Sequence, residues 1–201
     1  MQAAILHLKA ADPIMGGLIE GIGPYSIQYM EPNFDTLVKA IVLQQLSGKV
    51  ADVIFGRLRK SCGNGCLTPD SILRRRLTTL RAAGLSGAKI DYIRDLARRV
   101  RDGSLDLDGL RTVPDEDVHR VLTGIKGIGP WTVQMFLMFA LRRPDVLAPA
   151  DLGIQAAVQK AYGLERRATP AQVQEYGEKW RPYRTVASWY LWRSLETKAG
   201  L

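Results

Sequence analysis

Three glycines within six residues constrain this chain more than any other feature. Gly124, Gly127 and Gly129 fall in Leu122-Thr-Gly-Ile-Lys-Gly-Ile-Gly-Pro-Trp-Thr132, between two apolar-periodic segments. Glycines so crowded cannot continue a helix cheaply, so a tight hairpin is expected. Pro130 stands where a new helix should begin, because its missing N–H costs nothing in a first turn and its φ is preset. The spacing therefore predicts helix, glycine hairpin, helix. The amides around Gly127 and Gly129 would face outward at the positive end of the second helix, where a phosphate can be held. An αα-corner that only turns the chain fits the spacing equally well.

The rest of the chain reads as helices around that point. Residues 1–33 give a first helix and then a Gly-rich connection through Gly16-Gly17, Gly21 and Gly23-Pro24. Asn33 is a candidate cap for a helix whose apolar face is Phe34, Leu37, Val38, Ile41 and Val42. Gln44 and Gln45 sit where Ser47-Gly48 interrupts it, and Val50, Val53, Ile54 and Leu58 mark the next helix, to about Lys60. Thr68-Pro69 begins another, expected over Asp70–Ala83 with Arg74, Arg75 and Arg76 on its surface. Ser86 opens a helix with Ile90, Ile93, Leu96 and Val100 inside, and Pro114-Asp-Glu-Asp117 supplies an acidic first turn for the segment entering the hairpin. Beyond it, Val133, Phe136, Leu137 and Ala140 continue helically. Residues 142–150 are expected to be extended, since each proline discourages helix in the residue before it. Asp151, Thr169-Pro170 and Pro182 open the last three helices. No strand pattern is sustained, so the fold should be all-α.

A chain of 201 residues with 46% hydrophobic content can bury a core as one or two domains. Lys and Arg outnumber Asp and Glu 28 to 20, for a formal charge of +8. The pI near 9.7 favours a polyanionic partner. Cys62 and Cys66 flank a Ser-Cys-Gly-Asn-Gly-Cys loop with no second pair and no histidine near, which is not a four-ligand zinc site. Free thiols are expected, in a cytosolic or, in a eukaryote, nuclear protein. No apolar run is long enough to span a membrane, and no secretory signal is evident.

Taken alone, the chemically interesting side chains have plain readings. Asp151 at a helix start is a cap. Trp131 and Trp192 on helices are core residues, with Met135 sharing a face with Trp131. Adjacent glutamines and Lys126 are solvated.

Together, however, Gly127-Ile-Gly-Pro-Trp-Thr132, Ala148-Pro-Ala-Asp151, Ala40-Ile-Val-Leu-Gln-Gln-Leu-Ser47 and Arg181-Pro-Tyr-Arg-Thr185 through Leu191-Trp-Arg193 resemble the helix-hairpin-helix DNA glycosylase superfamily. The similarity is to its DNA-3-methyladenine glycosylase II branch and runs from about residue 34 to the C-terminus. The resemblance implies a monomer of two α-helical lobes, one of residues 35–145 ending in the hairpin (118–141), the other of 1–34 plus 146–201, with a DNA-binding cleft between them. It implies hydrolytic excision of alkylated purines, 3-methyladenine and 7-methylguanine, from duplex DNA.

Residue by residue, Asp151 becomes the catalytic carboxylate. Trp131, Trp192 and Met135 become the pocket for the flipped base; Met135 departs from the aromatic residue of the best-known members. Gln45, or Gln44 beside it, enters the gap the base leaves. Lys126, Gly127, Gly129 and Thr132 contact phosphate. The main-chain carbonyls of Thr123, Ile125 and Ile128 would hold K⁺ or Na⁺. Backbone-cutting members carry a lysine where this chain has Trp131, so the chemistry should stop at base release. No cysteine follows Cys66, so no iron–sulfur cluster is expected, and the chain before Phe34 is too short for the β-sheet domain of some relatives. Excision of deaminated or mismatched bases, and non-catalytic DNA binding through the hairpin, are the alternatives.

Overall fold

The computed structural model describes residues 1–46, 48–63 and 65–196. Ser47, at the expected helix break, and Asn64, in the cysteine loop, lie outside the described residues. Twelve α-helices occur among those described: α1 (Gln2–Ala11), α2 (Pro13–Ile22), α3 (Phe34–Leu43), α4 (Gly48–Cys62), α5 (Pro69–Leu73), α6 (Leu77–Ala82), α7 (Gly87–Arg101), α8 (Asp115–Thr123), α9 (Pro130–Phe139), α10 (Leu152–Tyr162), α11 (Pro170–Glu178) and α12 (Arg184–Glu196). A 3-10 turn, Gly109–Arg111, lies between α7 and α8. The fold is all-α. None of these helices is long and apolar enough to cross a membrane.

The chain forms two compact units. Met1–Tyr29 joins the chain from Arg142 onward, and Met30–Leu141 makes the other. Both crossings fall a few residues before the expected ones at 35 and 145, and hydrogen bonds explain why. The Met30 amide donates to the Phe139 carbonyl at 2.9 Å, fastening the stretch before α3 to the end of α9. The Thr185 hydroxyl donates to Arg143 O at 2.7 Å and its amide to Pro144 O at 3.0 Å, fastening that loop to α12.

In the first unit, α2 packs on α1 and α12, and α10 on α11 and α12. The Gly-rich segment expected to be a connection is helical instead. Pro13 sits in the first turn of α2, and the Asp12 carboxylate accepts from the amides of Ile14 and Met15 at 3.1 and 3.3 Å. That cap, and the burial of Met15, Gly16 and Ile19, outweigh the poor helix propensity of glycine. Asp12 is itself almost fully buried. It also accepts from Trp180 Nε1 at 2.9 Å and from the Tyr162 hydroxyl, and Lys179 Nζ lies 3.5 Å away. Burial alone would raise its pKa, but these hydrogen bonds and the lysine hold it below the ordinary carboxylate value.

In the second unit α3 is central, packed on α4, α7 and α9. Asn33 caps it, and Phe34, Leu37, Val38, Ile41 and Val42 are all buried, as the spacing predicts. The stripe expected on α4 holds at Leu58 but not at Val50 and Val53. Ala51, Phe55 and Leu58 face inward, leaving Val50 and Val53 about half exposed, at 47% and 53%. Arg59, ion-paired to the buried Asp35 and stacked on Phe55, fixes that rotation. The helix expected over Asp70–Ala83 is two helices. The Thr68–Ser71 capping box opens a short α5 that ends at Leu73, Arg76 is extended, and Arg94 Nη1 on α7 donates to the Arg75 carbonyl at 3.3 Å.

Candidate active site

The hairpin follows from two buried isoleucines and one left-handed glycine. Ile125 and Ile128 are 3% and 4% exposed and anchor the loop, while Lys126 between them is exposed. Gly127 has φ +82°, and a Cβ there would lie 2.1 Å from a ring carbon of Tyr92. Both the dihedral and the tyrosine require glycine. Gly129 is the N-cap of α9, with Pro130 in the first turn. The backbone from Thr123 to Gly129, with Asp95 and Arg99 of α7, lines a concave surface of about 620 Å³. It combines a helix N-terminus with the exposed cation Lys126, which suits a phosphate oxygen, while Arg99 there is ion-paired to Asp95 at 3.0 Å.

The glutamine pair is built onto this hairpin. Gln44 Nε2 donates to the Gly127 carbonyl at 2.8 Å and to Thr132 Oγ1 at 3.1 Å. Gln44 thus braces the hairpin, and the buried Thr132 hydroxyl accepts from it. Gln45 is exposed and left-handed, with φ +58°. A non-glycine residue there bears a strain of about 1–2 kcal/mol, of the kind concentrated at functional sites. Lys89, in the first turn of α7, donates through Nζ to Val42 O at 2.7 Å and Gln44 O at 2.8 Å. Burial holds its pKa below the ordinary lysine value. Trp131 and Met135 lie one turn apart on α9, both half-buried.

Asp151 is the N-cap of α10, and its Oδ1 accepts from the Ile154 amide at 2.8 Å. The same oxygen accepts from Trp192 Nε1 on α12 at 2.9 Å. Carboxylate and indole are therefore one assembly, half-buried and fixed by two donors. Gly153 makes it possible, since a Cβ there would lie 3.0 Å from Asp151 Oδ1 and 3.1 Å from Trp192 Cδ1. The loop leading to Asp151 is clamped by the start of α12. Arg184 Nε and Nη2 reach the two Asp145 carboxylate oxygens at 2.7 and 3.1 Å, and the Val146 amide donates to Thr185 Oγ1 at 3.0 Å. The Arg-Pro-Tyr-Arg-Thr stretch is thus a structural clamp for that loop.

Several of these residues were not singled out from sequence. Asp145 and Gly153 leave no local signal, and Arg184 stands out only as part of the Arg181–Thr185 stretch, with no role. Lys89 leaves a faint one, a cation in a helix's first turn, where the dipole disfavours it. Cys62 and Cys66 are free thiols, the first half-buried and the second exposed.

The sequence model of the HhH-GPD superfamily of base excision DNA repair proteins matches residues 38–182, which span the glutamine turn, the hairpin and Asp151. The chain belongs to this superfamily. Among HhH-GPD relatives, DNA-3-methyladenine glycosylase 1 of Schizosaccharomyces pombe is 34% identical over 197 residues, covering 95% of this chain and 86% of that protein. A solved structure of a Schizosaccharomyces pombe 3-methyladenine DNA glycosylase in complex with abasic DNA superposes with a TM-score of 0.91 at 33% identity, covering 99% of each chain. That of a DNA-3-methyladenine glycosidase from Bacillus halodurans gives 0.85 at 38% identity, covering 98% of this chain and 90% of that one.

Proposed function

We propose that this HhH-GPD protein is a monofunctional, monomeric DNA glycosylase. It hydrolyses the N-glycosidic bond of alkylated purines, 3-methyladenine and 7-methylguanine, in duplex DNA and so begins base excision repair. The observation that carries this reading is the Asp151 carboxylate, held on one oxygen by a helix-terminal amide and an indole. Breaking the bond from C1′ to the base passes through an oxocarbenium-like sugar. A fixed anion beside C1′ stabilises that cation and orients the attacking water. Bases alkylated at these positions carry positive charge, which weakens the bond and makes leaving-group protonation unnecessary.

The target nucleotide is turned out of the duplex, with Gln45 filling the space it leaves. Trp131, Trp192 and Met135 receive the base. An indole face gains roughly 0.5–2 kcal/mol from a cationic base over a neutral one. Lys126 and the amides around Gly127 and Gly129 hold the backbone phosphate, with the α9 dipole behind them. By the family resemblance, the carbonyls of Thr123, Ile125 and Ile128, residues of the same concave surface, would hold a K⁺ or Na⁺ ion that supplies positive charge for that phosphate. By the family resemblance, backbone-cutting members carry their Schiff-base lysine at the position of Trp131. An indole cannot attack C1′, so the product is an abasic site with an intact backbone.

The test is Asp151→Asn. Excision of 7-methylguanine should collapse while affinity for duplex DNA survives. Unchanged excision would end the proposal. Borohydride should trap no covalent complex, and a panel including hypoxanthine and uracil should show preference for the cationic bases.

A further inference from the structure

We infer that Lys89 is a positioning residue for base eversion: it locks the turn that presents Gln45 to the duplex. This rests on the glycosylase reading above and adds to it the device that sets Gln45. Helix α3 ends at Leu43, and the last carbonyls of any helix lack partners within it. Lys89 supplies partners from another helix, with two ammonium N–H groups donating to the carbonyls of Val42 and Gln44. A cation at a helix C-terminus is also favoured by the dipole.

Gln44 is consequently gripped at both ends. Its carbonyl accepts from Lys89, and its side-chain amide donates to Gly127 O and Thr132 Oγ1 on the hairpin. The Leu46 amide closes the turn onto Leu43 O at 3.1 Å. Gln45 is the residue left exposed between these fixed points, in a left-handed conformation that glutamine rarely adopts. Such a conformation persists only where its surroundings over-determine it. Without the Lys89 ammonium the helix-end carbonyls are unpaired and the turn relaxes to ordinary dihedrals. The Gln45 side chain then no longer stands at a fixed distance from the phosphate-binding hairpin. Lys89 touches no DNA in this scheme; it acts through Gln45.

A double-mutant cycle tests this, using Lys89→Met, Gln45→Ala and both together. Each is assayed for single-turnover release of 7-methylguanine from a duplex oligonucleotide, with melting temperature measured in parallel. Lys89→Met should slow release about tenfold. The double variant should be no slower than Gln45→Ala alone, and 2-aminopurine beside the lesion should brighten less on binding Lys89→Met than on binding wild type. If the two single effects multiply, Lys89 acts by stability alone and the inference falls. Should Lys89→Met not fold, Lys89→Gln carries the same comparison. Wild-type protein that released no base would remove the glycosylase reading itself, whereas wild-type release with a multiplicative cycle removes only the role of Lys89.

Discussion

Replacing Trp192 with phenylalanine separates two roles that the indole combines. Phenylalanine keeps an aromatic face for the base but has no N–H for Asp151 Oδ1, which now accepts from Trp192 Nε1 at 2.9 Å. A hydrogen bond to an ionised carboxylate contributes about 1.5–3 kcal/mol. If orientation of that carboxylate matters only as charge develops on the sugar, the whole of it appears in the barrier, a loss of about 10- to 150-fold in rate. The Ile154 amide still holds the same oxygen, which argues for the lower half of that range. The assay is single-turnover base release from a duplex carrying either 7-methylguanine or hypoxanthine. A defect transmitted through Asp151 slows both substrates by the same factor, because both pass through the same sugar cation. A defect in the aromatic wall slows only the cationic base. Trp131→Phe removes the same ring area on α9 and gives the substrate dependence against which Trp192→Phe is read. Release by Trp192→Phe within about threefold of wild type on both substrates would refute the claim that the indole holds the carboxylate for catalysis.

Gly153→Ala should separate activity from stability. Alanine is the better helix former by about 1 kcal/mol, yet its Cβ would press on Asp151 Oδ1 and Trp192, so release should fall about tenfold with little change in melting temperature; full activity would contradict the packing. Gly127→Ala should weaken DNA binding and lower folding stability by about 2 kcal/mol or more, seen as a lower urea midpoint, because φ is +82° and Tyr92 occupies the space. A Tyr92→Ala background should restore part of that loss, and an unchanged midpoint in the single variant would count against it. Asp12→Asn should destabilise at neutral pH by about 2 kcal/mol through weakened bonds to Trp180 and Tyr162. The folded pKa of Asp12 lies below its ordinary value of 3.8, so its stabilisation is complete above that value and is lost as pH falls through the folded one. The difference between wild type and variant in urea melts should therefore shrink on acidification; a constant difference would show that the charge of Asp12 is irrelevant.

The parts of this fold legible in the sequence are those written in local chemistry. Asn33, Thr68, Ser86 and Thr169 all accept from backbone amides at helix starts, as their side chains suggest. Pro130 opens α9 and Asp151 opens α10. What stayed hidden depends on partners distant in sequence. Val50 and Val53 look inward by spacing, but Arg59 needs Asp35, 24 residues away, and turns the helix. The glycines of α2 look like a connection, but Asp12 meets Trp180, 168 residues on. Lys89 is another such case, since nothing in its neighbourhood announces carbonyls 45 and 47 residues earlier. Trp192 was legible as an indole, but its bond to Asp151 was not, because it depends on the packing of α12 against α10.

The arrangement around Asp151 fits the chemistry proposed for it better than a freer carboxylate would. A cationic purine needs no proton to depart, so the protein's contribution reduces to placing negative charge and water against one face of the sugar. Charge placement is effective to the extent that it requires no reorganisation as the barrier is crossed. Here α12 provides that rigidity twice. At its start, Arg184 and Thr185 fix Asp145 and Val146, where the loop begins. Two turns later Trp192 fixes the oxygen where the loop ends. Between these points Pro149 stiffens the strap, and its carbonyl accepts from Gln155 Nε2 at 2.9 Å, tying it to α10. Asp151 is thus tethered from both sides of its own loop and by the helix it caps. A side chain held in this way cannot swing to follow a proton, but it can stabilise a cation that forms in one place, and on that ground the role proposed for Asp151 is first that of a fixed charge and only secondarily that of a base.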